Sequence, residues 1–138
     1  MSVNKLRHEA ERWLQTAKED LDAAKVLKAA GKHAQACFYA QQSGEKAVKA
    51  MWYVADQDPW GHSIQRLVSA FAGPEAFEKL DDWLLRAAEL DRYYIPTRYP
   101  NGLPDLTPGQ SYFPQDSERA IEMANLFVNL SEQFIYSP

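Results

Sequence analysis

At 138 residues, with 46% hydrophobic and 25% charged residues, the chain has ordinary globular composition and enough length to bury a core without disulfides or a structural metal. Fifteen basic against nineteen acidic residues give a formal net charge of −4, which excludes a global basic field for nucleic acid and leaves only a local basic patch. The single cysteine, Cys37, excludes an internal disulfide, and His8, His33 and His62 are too scattered for a metal-ligand motif.

The N-terminal MSVNKLRHEAERW lacks the apolar run of a secretory signal. No apolar stretch approaches the ~18–20 residues of a membrane span. A soluble, cytoplasmic protein of one domain over residues 1–138 is the expectation, with no membrane partner and no cofactor.

From about Lys5 to Ala30, the residues Leu6, Ala10, Trp13, Leu14, Ala17, Leu21, Ala24 and Leu27 follow the i, i+3, i+4, i+7 spacing of one helical face. Gly31 stands where a helix C-terminus favours positive φ. A second helix is predicted from about Ala34 to Val54. Its Ala36, Ala40, Gly44 and Ala47 form a ridge of small residues that lets neighbouring helices approach closely. Cys37 in this stretch reads as a small core residue.

Pro59 and Gly61 interrupt the pattern, and Ser63 is placed to cap a short third helix with Ile64, Leu67, Val68 and Phe71 inward. Gly73 and Pro74 end it. A fourth helix is expected from about Glu75 to Leu90 or Tyr94. Residues 95–115 hold five of the eight prolines, which argues against regular helix there. A loop that long is uncommon in a bundle unless it has a function. Asp116 is then the expected cap of a last helix bearing Ala120, Met123, Ala124, Phe127, Leu130 and Phe134 on one face. The predicted fold class is all-α: an up-and-down four-helix bundle with one additional short helix.

Three strings carry a further signal. RWLQTAKEDLDAAKVL lies on the first helix, and ACFYAQQSGEKAVKAMW on the second, with the distinctive pattern F-x-A-Q-Q-x-x-E-K-A-x-K-A. WGHSIQRL is followed some thirty residues on by YYIPTRYP. In this order, from about Glu11 to Phe134, they resemble the HEPN family of small helical domains. The resemblance implies an up-and-down bundle and a homodimer formed through helix faces. It implies one of several activities: many members are metal-independent ribonucleases, often toxins paired with a minimal nucleotidyltransferase, and others bind nucleotides, RNA or proteins. The nuclease members share an Arg-x(4–6)-His motif, and no arginine of this chain has a histidine at that spacing; Arg98 is followed by Tyr99, Pro100, Asn101 and Gly102.

Arg98 and Tyr99 are the leading candidates for ligand binding. A guanidinium fork suits phosphate and a tyrosine can stack or donate, while Pro96 and Pro100 stiffen the segment. The alternative is that Arg98 pairs with a helix-two carboxylate such as Glu45 and pins the loop. His62 reads either as a proton-transfer group or as a tether to loop backbone. Glu45 and Gln42 lie near the small-residue ridge, Tyr39 shares the side of Gln42, and Tyr94 with Tyr93 is placed to complete an aromatic-lined pocket. Glu45 and Lys49 read as a surface i,i+4 pair, and Trp60 and Phe113 as loop aromatics suited to a partner interface. These residues point to a nucleotide-, RNA- or partner-binding domain, with a minimal nucleotidyltransferase as the implied companion. They leave open a ribonuclease with a non-standard site and a purely structural interaction protein.

Overall fold

The structure, a computed structural model, describes residues 2–136. Helix α1 runs from Val3 to Ala29. Ser2 caps it, its hydroxyl accepting from the Lys5 amide at 3.2 Å, and the buried stripe is Ala10, Leu14, Ala17, Leu21 and Ala24. Gly31, at φ +77°, turns the chain as its spacing predicts. The Lys32 amide then reaches the Leu27 carbonyl at 2.8 Å and the Gly31 amide the Lys28 carbonyl at 3.0 Å. This pair of bonds satisfies two orphan carbonyls and ends the helix sharply.

Helix α2, His33–Val54, is the centre of the bundle. It packs against α1, α3 (Ile64–Ala70), α4 (Leu80–Asp91), α5 (Pro108–Ser111) and α6 (Pro114–Tyr136). The small-residue ridge explains the position. A Cβ added at Gly44 would lie 2.9 Å from Leu90 Cδ1 and 3.1 Å from Ile64 Cδ1, so α3 and α4 approach α2 through the space a side chain would fill. Cys37 is fully buried, as expected of a core residue.

The long helices alternate in direction. Arg7 lies over the Tyr136 ring and Lys18 pairs with Glu132, which sets α1 antiparallel to α6. His33 meets Ser117, so α2 and α6 begin at the same end. Arg119 pairs with Glu89 and Trp83 packs on Phe127, which sets α4 antiparallel to α6. Short α3 is the expected additional helix, joined by the single turn α5; Ser63 caps α3, its hydroxyl accepting from the Arg66 amide at 3.1 Å. Among the described residues no helix is long and apolar enough to cross a membrane.

Three expected boundaries are corrected. The fourth helix starts at Leu80 rather than Glu75. Residues Pro74–Ala76 form a 3-10 turn, and Lys79 at φ +58° breaks the path before α4 begins. The proline-rich stretch is not free of helix. Its prolines initiate turns, Pro100 opening a 3-10 segment and Pro108 the single turn α5; a missing amide costs nothing at the first helical position. The last helix likewise opens at Pro114, and Asp116 is not its cap. Asp116 lies three residues past Phe113 and accepts from the Phe113 amide at 2.8 Å.

Candidate functional site

The residues proposed from sequence fall on α2, the turn before α3, and the chain after α4. Their framework begins with Asp91, the last residue of α4. Its carboxylate accepts from the amides of Ile64 at 2.9 Å and Gln65 at 3.0 Å and from the Ser63 hydroxyl at 3.1 Å. An anion so placed satisfies the free amides of α3 and fixes the end of α4 against its start.

Gln41 extends the framework into α2. It is fully buried, and its amide nitrogen donates to the His62 carbonyl at 3.1 Å and lies 3.4 Å from Asp91 Oδ1. Gln42, nearer the surface, donates to Gln41 Oε1 at 2.8 Å. The glutamine that organises this end is therefore Gln41, with Gln42 supporting it.

Glu45 does not pair with Arg98. Its side chain is only 3% exposed, and Oε2 lies 3.0 Å from Lys49 Nζ and 3.3 Å from His62 Nδ1. The Glu45–Lys49 pair, expected on the surface, is buried. Lys49 also lies 5.7 Å from the centre of the Trp13 ring, so an aromatic face replaces part of its hydration. A carboxylate only accepts, so Nδ1 of His62 carries the proton in this bond and Nε2 is left free. His62 is 60% exposed, and its ring stacks on Tyr94 at 5.0 Å and 19°. Both expected readings of His62 had a loop-bound residue without a side-chain partner; the structure supplies Glu45 as that partner.

Tyr94 is also the support of Arg98. The Arg98 Nε donates to the Tyr94 carbonyl at 2.9 Å. Its guanidinium carbon lies 4.6 Å from the Tyr94 ring centre, 4.5 Å from Phe38 and 5.2 Å from Tyr99. No carboxylate lies within ion-pair distance of it among the described residues. A cation bracketed by ring faces keeps its charge while its orientation is fixed. Two contacts hold the turn beneath. Thr97 is buried and its hydroxyl donates to the Tyr93 carbonyl, and the backbone at Gly102 closes on Pro96, where a Cβ would be 3.1 Å from Pro96 Cα.

Tyr93 and Tyr94 part company. Tyr93 turns into the core against Tyr112, with ring centres 6.0 Å apart, and burial pushes its phenol up to about 12. Tyr39 stands beside Phe38, edge to face at 5.5 Å, and it and Tyr99 are exposed. The expected aromatic-lined pocket is thus an open platform: Phe38, Tyr94 and Tyr99 around Arg98, with Tyr39 beside Phe38 and His62 on Tyr94. Four clefts among the described residues lie elsewhere, and no group of three or more His, Cys, Asp or Glu among those residues is arranged to hold a metal ion.

Gln41, Asp91 and Phe38 were absent from the sequence-derived site. Gln41 carried one usable signal, a polar residue four before Glu45 on the same helix face as the small-residue ridge. Asp91 carried none, since its partners lie 26–50 residues away.

The model of the HEPN domain matches residues 10–134. TT1696 from Thermus thermophilus is 34% identical in a solved structure, with a TM-score of 0.86 over 91% of this chain and 97% of that one. The archaeal HEPN homologue ST0689 is 32% identical, with a TM-score of 0.77 over 91% and 97%. An HEPN domain protein from Thermotoga maritima, TM0613, is 28% identical, with a TM-score of 0.67 over 92% and 99%. No curated protein matches the chain.

Proposed function

The chain belongs to the HEPN domain family, and from that premise we propose that it binds RNA through a platform centred on Arg98. One observation carries the reading: a guanidinium without a carboxylate partner among the described residues, held between aromatic rings at the surface. Such a group offers phosphate a fixed fork of donors, and Tyr99 and Tyr39 offer exposed faces for unpaired bases. The openness of the platform favours a strand over a free nucleotide. A mononucleotide gains affinity by enclosure, whereas a strand spreads its contacts over an open surface.

The test is fluorescence anisotropy with a short labelled single-stranded RNA. Arg98→Ala is expected to weaken binding about tenfold, the loss of one charge-assisted contact of ~1.5 kcal/mol. Equal binding by both proteins removes Arg98 from the account.

The family resemblance also supports a homodimer with a minimal nucleotidyltransferase as its companion. Exposed Leu85 and Leu126 supply apolar helix surface for a dimer contact. Sedimentation of the protein alone, and then with any nucleotidyltransferase encoded beside it, tests both.

A second reading, metal-independent RNA cleavage, is favoured by the Glu45–His62 bond alone, because it leaves Nε2 of a surface histidine free next to the platform. Cleavage of single-stranded RNA in the presence of a chelator, abolished in His62→Ala, would establish it. Intact RNA at high protein concentration would exclude it.

A further inference from the structure

A second concave surface lies away from the Arg98 platform and shares no residue with it. The first turns of α1 and the chain leaving α2 enclose a cleft of about 710 Å³, within the ~300–1,000 Å³ usual for small-molecule sites. Its apolar lining is Leu6 and Tyr53. Tyr53 stacks on Trp13 with ring centres 5.2 Å apart, so its position is fixed from behind.

The polar lining is weighted towards one charge. Three carboxylates, Glu9, Asp56 and Asp58, face two basic side chains, Lys5 and His8. Glu9 is already engaged, accepting from Trp13 Nε1 and from Arg12 at 3.1 Å each. The carboxylates of Asp56 and Asp58 have no ion-pair partner among the described residues. Burial, and after it the charges of Glu9 and Asp58, hold the Tyr53 phenol above its ordinary value. The phenol therefore stays a neutral donor at the edge of an apolar floor.

We infer that this cleft is a binding site for a small organic cation: an ammonium or amidinium group on a flat apolar body of about one aromatic ring. The body packs on Tyr53 and Leu6, where its desolvation is favourable and a ring face attracts positive charge. The cationic head lies at Asp56 and Asp58, which have no ion-pair partner among the described residues and which, with Glu9, outnumber the one lysine of the lining. Anions are disfavoured by the three carboxylates. The cleft and the Arg98 platform thus select ligands of opposite sign, and this site stands whether or not the chain binds RNA.

The experiment is an amide-resolved NMR titration of the whole chain with three probes of one shape: phenethylamine, phenylacetate and 2-phenylethanol. Phenethylamine is expected to give saturable shifts at Leu6, Tyr53 and Asp58, with a dissociation constant in the millimolar range, and the acid and the alcohol only weak ones. Asp56→Asn combined with Asp58→Asn should weaken phenethylamine about fivefold or more, in keeping with two solvent-facing charge contacts. Asparagine tolerates the positive φ of residue 56, +57°, so that variant keeps the fold. Equal shifts from phenylacetate or 2-phenylethanol, an unchanged affinity in the double variant, or no saturable shift with phenethylamine would overturn the assignment.

Discussion

Glu45 and His62 are joined by a 3.3 Å contact between a carboxylate only 3% exposed and an imidazole 60% exposed. The bond ties the surface platform to the interior of α2, and the other partner of the same oxygen is the buried Lys49. Removing Glu45 strands that ammonium. Glu45→Ala is expected to cost about 3–5 kcal/mol in urea unfolding, the range for breaking one side of a buried pair. Glu45→Met combined with Lys49→Met should recover most of the loss, because an apolar pair of similar volume needs no counter-charge.

In the proposed RNA contact, Arg98 offers shape as well as charge. Its planar group lies 4.5 Å and 4.6 Å from the Phe38 and Tyr94 ring centres, a geometry that a lysine ammonium reproduces poorly. Arg98→Lys is therefore expected to recover little of the RNA affinity lost in Arg98→Ala. Plotted as log affinity against log salt, either variant that loses one phosphate contact should show a slope shallower by about 0.7. Wild-type affinity in Arg98→Lys would reduce the residue to a point charge.

Asp91 tests the framework without touching the proposed RNA-binding surface. Asp91→Ala leaves the amides of Ile64 and Gln65 without their acceptor. A loss of about 2–3 kcal/mol is expected, as for hydrogen bonds to a charged group. Faster amide hydrogen exchange should be confined to α3 and the turn before it. Uniform acceleration across the bundle would show that Asp91 supports more than this junction.

Close approach at Gly44 is tested by bulk. Alanine there gains about 1 kcal/mol of helix propensity and meets Leu90 Cδ1 at 2.9 Å, so the two effects largely cancel. Gly44→Val adds volume between α2, α3 and α4 and should cost about 1–3 kcal/mol or more. A stability unchanged in Gly44→Val would mean that the helices separate without penalty.

Cys37 sets an alkaline limit. Burial, with a smaller contribution from the Asp116 charge, pushes its thiol from 9.0 to about 12. The unfolded chain releases this proton near pH 9 while the folded chain holds it. The unfolded state then binds fewer protons, so stability falls as pH rises from about 9 to 12. The slope is roughly 1.4 kcal/mol per pH unit for this one group. Urea midpoints from about pH 8 to 11 should decline less steeply in Cys37→Ala than in the wild type. Tyr93, also pushed up to about 12, retains part of the slope in both.

Much of the fold was legible because helix–core contact is written at short range. The α1 stripe recurs every three or four residues, and the ends at Gly31 and Ser63 are single-residue signals of φ and capping. The resemblance in the α2 string and YYIPTRYP was legible for the same reason. The start of α4 was misplaced because Lys79, rather than a glycine or proline, adopts the left-handed conformation. Helices in the proline-rich stretch were missed because a proline that forbids a helix interior is favoured at its first position.

What the sequence by itself determined is therefore the all-α architecture, the burial of the small-residue ridge of α2 and the irregular backbone around Arg98. Local periodicity and single-residue backbone preferences suffice for each. Only the tertiary structure decided how the charges pair. Glu45 chose Lys49 and His62 over Arg98, Asp91 chose the start of α3, and Arg98 was left to aromatic rings. Ion pairing depends on distances across packed helices and on which partner is withdrawn from water, and neither quantity is encoded in the spacing of residues along the chain.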